Sequence, residues 1–183
     1  MILSDIEIRE CIAHGMIDDA ELHQVRNGVV SYGVTSYGYD MRCTDEWTVC
    51  GTSTGVIDPK QKNLADLMHS VISDSIIIEA GGFVLCRSFE YFRIPADVLC
   101  VVVGKSTYAR CGLVVNCTPL EPGWEGHVTI ELSNTASLPI RVYANEGIAQ
   151  VLFFRGRPCA TSYADKGGKY QGQRGITLPK VER

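Results

Sequence analysis

Most of this chain reads as short strand-like runs of apolar residues, some alternating with polar ones, broken by turn residues. His127–Asn134 shows the pattern most cleanly. Val128, Ile130 and Leu132 fall on one side of an extended segment, Thr129, Glu131 and Ser133 on the other. Further strands are predicted at Tyr37–Cys43, Glu46–Cys50, Ser75–Glu79, Phe83–Ile94, Val98–Val103, Leu113–Asn116, Ile140–Tyr143 and Gly147–Phe154. Glycine, proline, asparagine or acidic residues separate them. So many short strands at even spacing predict a mainly β sandwich or barrel of antiparallel strands, not alternating βαβ units.

Two stretches carry a helical period instead. Ser4-Asp5-Ile6-Glu7 reads as a capping box, with Ile6, Ile8, Cys11 and Ile12 following and Gly15 placed to stop the helix. A second helix is predicted within Pro59 to Ser73, where Leu64, Leu67, Met68, Val71 and Ile72 recur at helical spacing. From about Tyr163 the pattern fades. Residues 164–175, ADKGGKYQGQRG, hold four glycines among cations and amides, which predicts a mobile tail or a lid over residues 163–183. The rest shows no repeat and no linker, so residues 1–183 read as one domain.

Composition narrows the function. The 183 residues are 45% apolar and 21% charged, ordinary for a soluble globule with a core. A net charge of −4 argues against general nucleic-acid binding, although not against a small anion in a local basic pocket. Met1–Glu7 has no basic segment leading a long apolar one, so no secretory signal is expected, and no apolar run is long enough to span a bilayer. The eight cysteines include no CxxC pair. They read as reduced, mostly buried thiols of a cytoplasmic protein, with no disulfide framework and no zinc-ligand spacing.

The apolar run Val98–Val103 leads into GKSTYARCG, residues 104–112. This is not a phosphate-binding P-loop, because that motif needs a glycine where Leu99 stands. Its ingredients still suit an anion. Gly104 permits a turn, Lys105 and Arg110 supply charge, and Ser106 or Thr107 can cap a helix whose free N–H groups face an anion. Taken alone, the stretch is equally an ordinary strand-to-helix turn with a solvated lysine. Likewise a glutamate between small hydroxyls, as at 131, is most often just solvent-facing.

Five motifs taken in order change that weighing. Gly104–Leu113, Glu121–Gly126 (EPGWEG), Thr129–Asn134 (TIELSN), Gly147–Val151 (GIAQV) and Lys169–Gly175 (KYQGQRG) resemble the ordered motifs of the bacterial dCTP deaminase family, within the dUTPase-like superfamily. The resemblance runs nearly the whole length. It implies a distorted, jelly-roll-like β-barrel with an N-terminal helix, a second short helix and a C-terminal lid. It implies a homotrimer with active sites between subunits, and hydrolysis of the 4-amino group of dCTP to give dUTP and ammonia. It also implies Mg²⁺ on the triphosphate and no zinc. In keeping with that, none of His14, His23, His69 or His127 begins the H-x-E of the zinc deaminases.

By the same resemblance Glu131 is the catalytic general base and acid. Ser106 and Arg110 position the water and balance charge beside it. Lys105, Ser106 and Thr107 hold the triphosphate. Tyr108, Ala109, Arg110, Thr129, Ile130, Gln150, Tyr163, Lys169 and Gln173 are further nucleotide-contacting positions. No side chain is assigned to the metal. The chain departs from many members in two places. Lys105-Ser106-Thr107 replaces arginine and two serines, which loses bidentate geometry. The loop Thr118–Glu121 is shorter, with glutamate in place of the aspartate that meets the sugar 3′-hydroxyl. A dUTP pyrophosphatase, or a bifunctional enzyme taking dCTP to dUMP, is the nearest alternative, with Glu121 as its carboxylate. A non-catalytic nucleotide sensor on the same barrel is the alternative from another class, and a sensor would not need Ser106, Arg110 and Glu131 together.

Overall fold

The computed structural model describes residues 1–51, 56–60 and 62–180. It is mainly β. Helix α1 spans Asp5–Ala13 and is opened by the expected capping box, in which the Ser4 N–H donates to Glu7 Oε2 at 2.9 Å. Eleven strands follow among the described residues: β1 Ile17–Asp18, β2 Gly33–Thr35, β3 Gly38–Cys50, β4 Met68–Ile72, β5 Ser75–Ile78, β6 Phe83–Arg93, β7 Val98–Gly104, β8 Leu113–Asn116, β9 Glu125–Asn134, β10 Ile140–Tyr143 and β11 Gly147–Arg155. A one-turn helix α2, Ser106–Ala109, sits between β7 and β8.

The main sheet runs β7-β11-β3-β6-β9-β8, with β1 on β6 and both β2 and β4 on β3. Its two ends come back together. Cys100 of β7 and Leu120, just past β8, exchange backbone hydrogen bonds of 3.0 Å each way. A Cβ on Gly104 would lie 3.6 Å from Val115 of β8. The sheet is thus a nearly closed barrel, with β5 and β10 paired as a separate ribbon. Trp47, Tyr39, Phe92 and Phe153 fill its interior, together with the inward residues of β9. One charged pair is also buried there. Arg42 Nε donates to Glu90 Oε1 at 2.8 Å, and the Tyr39 hydroxyl donates to the same oxygen at 3.0 Å.

Three expectations need correction. The segments Tyr37–Cys43 and Glu46–Cys50 form one bent strand, β3, because a bulge between Cys43 and Trp47 absorbs Thr44–Glu46 instead of ending the strand. The helix expected within Pro59 to Ser73 is confined to a 3-10 turn at Lys62–Leu67, and residue 61 lies outside the described residues. Met68–Ile72 leaves the helical path because the edge of β3 offers it backbone partners, Val71 opposite Trp47. The cysteines are all free, but only Cys43, Cys86 and Cys100 are buried, while Cys50, Cys111 and Cys159 are exposed.

Candidate active site

The alternation read in β9 holds in three dimensions. Val128, Ile130 and Leu132 are buried at 3%, 0% and 0% exposure, whereas Thr129, Glu131 and Ser133 face the other way and are half-buried. That second face is only partly open to solvent. It forms one wall of a cavity of about 590 Å³, a size typical of small-molecule sites. Glu131 stands opposite Leu85 of β6 and Asn116 of β8. Phe83, Leu85, Trp124 and Val128 supply much of the apolar lining, with Thr118, Pro119, Leu120 and Glu121 from the shortened loop.

Burial is what makes Glu131 unusual. One of its oxygens, Oε2, is shielded from solvent and has no hydrogen-bond partner among the described residues. An ionised carboxylate loses hydration there and regains little. Desolvation therefore pushes its pKa up to about 7, against a smaller opposing effect of its own backbone N–H. A carboxyl group balanced between its two protonation states near neutral pH can both take and give a proton.

The far side of the cavity is the C-terminal segment. Its glycines led to the expectation of a mobile tail or a lid; residues 163–180 lie against the barrel as a strap. The His127 N–H donates to the Gln173 carbonyl at 3.0 Å, and Gln173 Nε2 donates back to the His127 carbonyl at 2.6 Å. The Thr177 N–H donates to Thr129 Oγ1 at 3.1 Å, and Trp124 Nε1 donates to the Tyr170 carbonyl at 3.0 Å. The approach is close enough to require a glycine: a Cβ on Gly126, at φ 150°, would meet Trp124 and Gln173 at 2.9 and 3.0 Å. Lys166 of the strap also pairs with Glu121 of the loop at 3.1 Å.

The structure divides the predicted site residues into four groups. Thr129, Glu131, Tyr163, Lys169 and Gln173 line this one cavity. Ile130, next to Glu131, points into the core and has only its backbone to offer. Lys105 and Gln150 are gathered elsewhere, on the carboxylate of Asp40. Ser106, Thr107, Ala109 and Arg110 are exposed on α2, outside the cavity that holds Glu131, and Tyr108 is buried beneath them. Among the described residues Arg110 has no ion-pair partner. Sequence reasoning missed Leu85, Trp124, Tyr170 and Thr177 as cavity walls, and Asp40 altogether. The signal for Asp40 was present: an acidic residue in the middle of a strand whose neighbours Tyr39 and Met41 are core.

A family model described as dCTP deaminase-like matches residues 2–156, most of the chain. The chain belongs to that family. A dCTP deaminase of Acidobacterium capsulatum is 55% identical over 182 residues, covering 98% of this chain and 99% of that one. One from Nautilia profundicola is 54% identical over 186 residues, 100% of this chain and 99% of that one. Among solved structures, the 2′-deoxycytidine 5′-triphosphate deaminase of Agrobacterium tumefaciens is similar with a TM-score of 0.65 at 20% identity. That match covers 85% of this chain and 48% of the other, and shows a shared fold.

Proposed function

We propose that this family member hydrolyses dCTP to dUTP and ammonia. The observation that carries the reading is Glu131, a half-buried carboxyl with an unpartnered oxygen on the wall of a nucleotide-sized cavity. The names of its full-length relatives point to the same substrate.

In this reading a water attacks C4 of the cytosine. The Glu131 carboxylate takes a proton from that water and delivers it to ring N3. The second proton follows to the amino group, the C4–N bond breaks, and ammonia leaves with the carboxylate restored. A group with a pKa near 7 spends little free energy in either transfer. Tyr163, Lys169 and Gln173 of the strap cover the nucleotide and exclude bulk water. The triphosphate would itself hold the magnesium, which would offset its charge. Among the described residues no cluster of three His, Cys, Asp or Glu side chains offers it a protein cage.

The site is completed between subunits of a trimer. Ser106, Thr107 and Arg110 are exposed on a surface apart from their own chain's cavity, which supports their serving the cavity of a neighbouring copy. The eight free thiols suit a reducing cytoplasm. No helix among the described residues is long and apolar enough to cross a membrane.

The test is to incubate the chain with dCTP and Mg²⁺ and separate the nucleotides by chromatography while measuring ammonia. Equimolar dUTP and ammonia are expected. Accumulation of dUMP would add a pyrophosphatase step, for which Glu121 on the same cavity is the available carboxylate. Unchanged dCTP would refute the reading.

A further inference from the structure

One buried charge has no part in the chemistry above. Asp40, in β3, is 3% exposed, and its carboxylate accepts from side chains on three separate segments. Lys105 Nζ meets Oδ2 at 2.5 Å, Gln24 Nε2 is 3.0 Å from the same oxygen, and Gln150 Nε2 is 3.2 Å from Oδ1. Gln150 also donates to Thr35 Oγ1 at 3.1 Å. Lys105 is itself buried, at 8% exposure. Its stem passes over Gly147, where a Cβ would sit 3.1 Å from Lys105 Cε and 2.0 Å from the Ser31 carbonyl oxygen. The close Ser31 backbone is what demands a bare glycine there, and the lysine stem packs against it.

Lys105 immediately precedes α2. That single turn is therefore held at two points. At its start the Lys105 ammonium is tied to Asp40. In its middle the Tyr108 ring is buried and its hydroxyl accepts the Tyr143 N–H at 3.0 Å. Ser106, Thr107 and Arg110 remain outside. A four-residue helix has too few internal hydrogen bonds to hold such a geometry alone.

We propose that Asp40 is a positioning residue for the deamination: through Lys105 and Gln150 it fixes the α2 turn, and so the direction in which Ser106 and Arg110 meet the reacting nucleotide. The proposal rests on the deaminase reading. It makes Lys105 a pin and not a free phosphate cation. Pulling the ammonium out to an anion would leave a carboxylate buried without its charge partner, which is costly.

Two readouts on the full chain test it. Hydrogen exchange by mass spectrometry compares residues 104–112 in the parent and in Asp40→Asn. Exchange there should accelerate by about tenfold or more, with Phe83–Arg93 unchanged. Steady-state kinetics of the same variant should show kcat reduced by about 10²-fold, as expected for a misplaced catalytic group, with KM for dCTP nearly unchanged. In a Lys105→Met background, Asp40→Asn should cost no further kcat, because it acts through that ammonium. Unaltered exchange at 104–112 overturns the pin whatever the activity. A loss confined to KM, or losses that simply add, overturns the positioning role. A parent that releases no ammonia from dCTP defeats the deaminase reading and the catalytic half of the proposal with it, while exchange still decides the pin. If Asp40→Asn does not fold, the Asp40→Asn/Lys105→Met pair, which buries no charge, carries the exchange comparison in its place.

Discussion

The β9 wall and the α2 turn are built on opposite plans. The face at Glu131 is lined largely by apolar side chains and roofed by the chain's own strap. The turn at Ser106–Arg110 is polar, exposed and pinned only from behind. Chemistry that raises a carboxyl pKa needs exclusion of water, which a barrel face under a strap provides. Holding and orienting a charged substrate needs donors that stay free, and a protruding turn keeps them free until something docks. One chain carries one of each, on separate surfaces.

The sharpest way to break this comparison is to remove the buried carboxyl. Glu131→Gln keeps shape but abolishes proton transfer, so turnover measured by ammonia release should fall by at least about 10²–10⁴-fold. Calorimetry should find dCTP bound as well as before. Turnover within about tenfold of the parent would show that Glu131 is merely a half-buried surface residue.

Removing the roof comes next. A chain ending after Ala164 loses the strap contacts of Gln173, Thr177 and Tyr170 but none of the eleven strands. It should melt cooperatively and lose turnover by about 10²-fold, as an unclosed site does. Normal turnover would mean the strap is packing and not a lid.

Mixing tests whether the halves belong to different copies. Glu131→Gln and Arg110→Ala chains, each impaired alone, should regain activity when unfolded and refolded together. In a random trimer roughly one site in four then joins an intact glutamate to an intact arginine. If mixing restores nothing while both variants still assemble, the two residues serve one chain's own site.

The smallest effect sharpens the electrostatic side. The folded pKa of Glu131 is raised from 4.5 to about 7. Between those values the folded chain holds a proton that the unfolded chain has released, so the parent loses stability as pH rises through that window. Glu131→Gln does not titrate. Its unfolding free energy relative to the parent should therefore climb between about pH 4.5 and 7 and level off above, by no more than about 3.4 kcal/mol. A flat difference would mean that Glu131 is not desolvated.

The strand alternation, the capping box at Ser4–Glu7 and the motif order are local properties, and the sequence carried them without help. A period of two allows only one face of β9 to be core, so Glu131 had to lie opposite Val128, Ile130 and Leu132. What no local pattern specifies is the environment of the other face. It became a cavity wall only because β6, the Thr118–Glu121 loop and the strap converge on it, from positions far apart in the chain. The same limit explains the corrections. Gly167, Gly168, Gly172 and Gly175 signal freedom in an isolated segment, but the tertiary fold gave the strap the free backbone edge of β9 to bond to. Met68–Ile72 kept a helical spacing yet met the open edge of β3. The stretch around Lys105, taken alone, suited a solvated lysine or an anion ligand; that its ammonium meets Asp40, which Gln24 and Gln150 also bond, was not legible there. Periodicity and turn chemistry act over a few residues, so sequence determines them directly. Burial, pKa and the pairing of charges depend on which distant segments become neighbours, and only the closed barrel decides that.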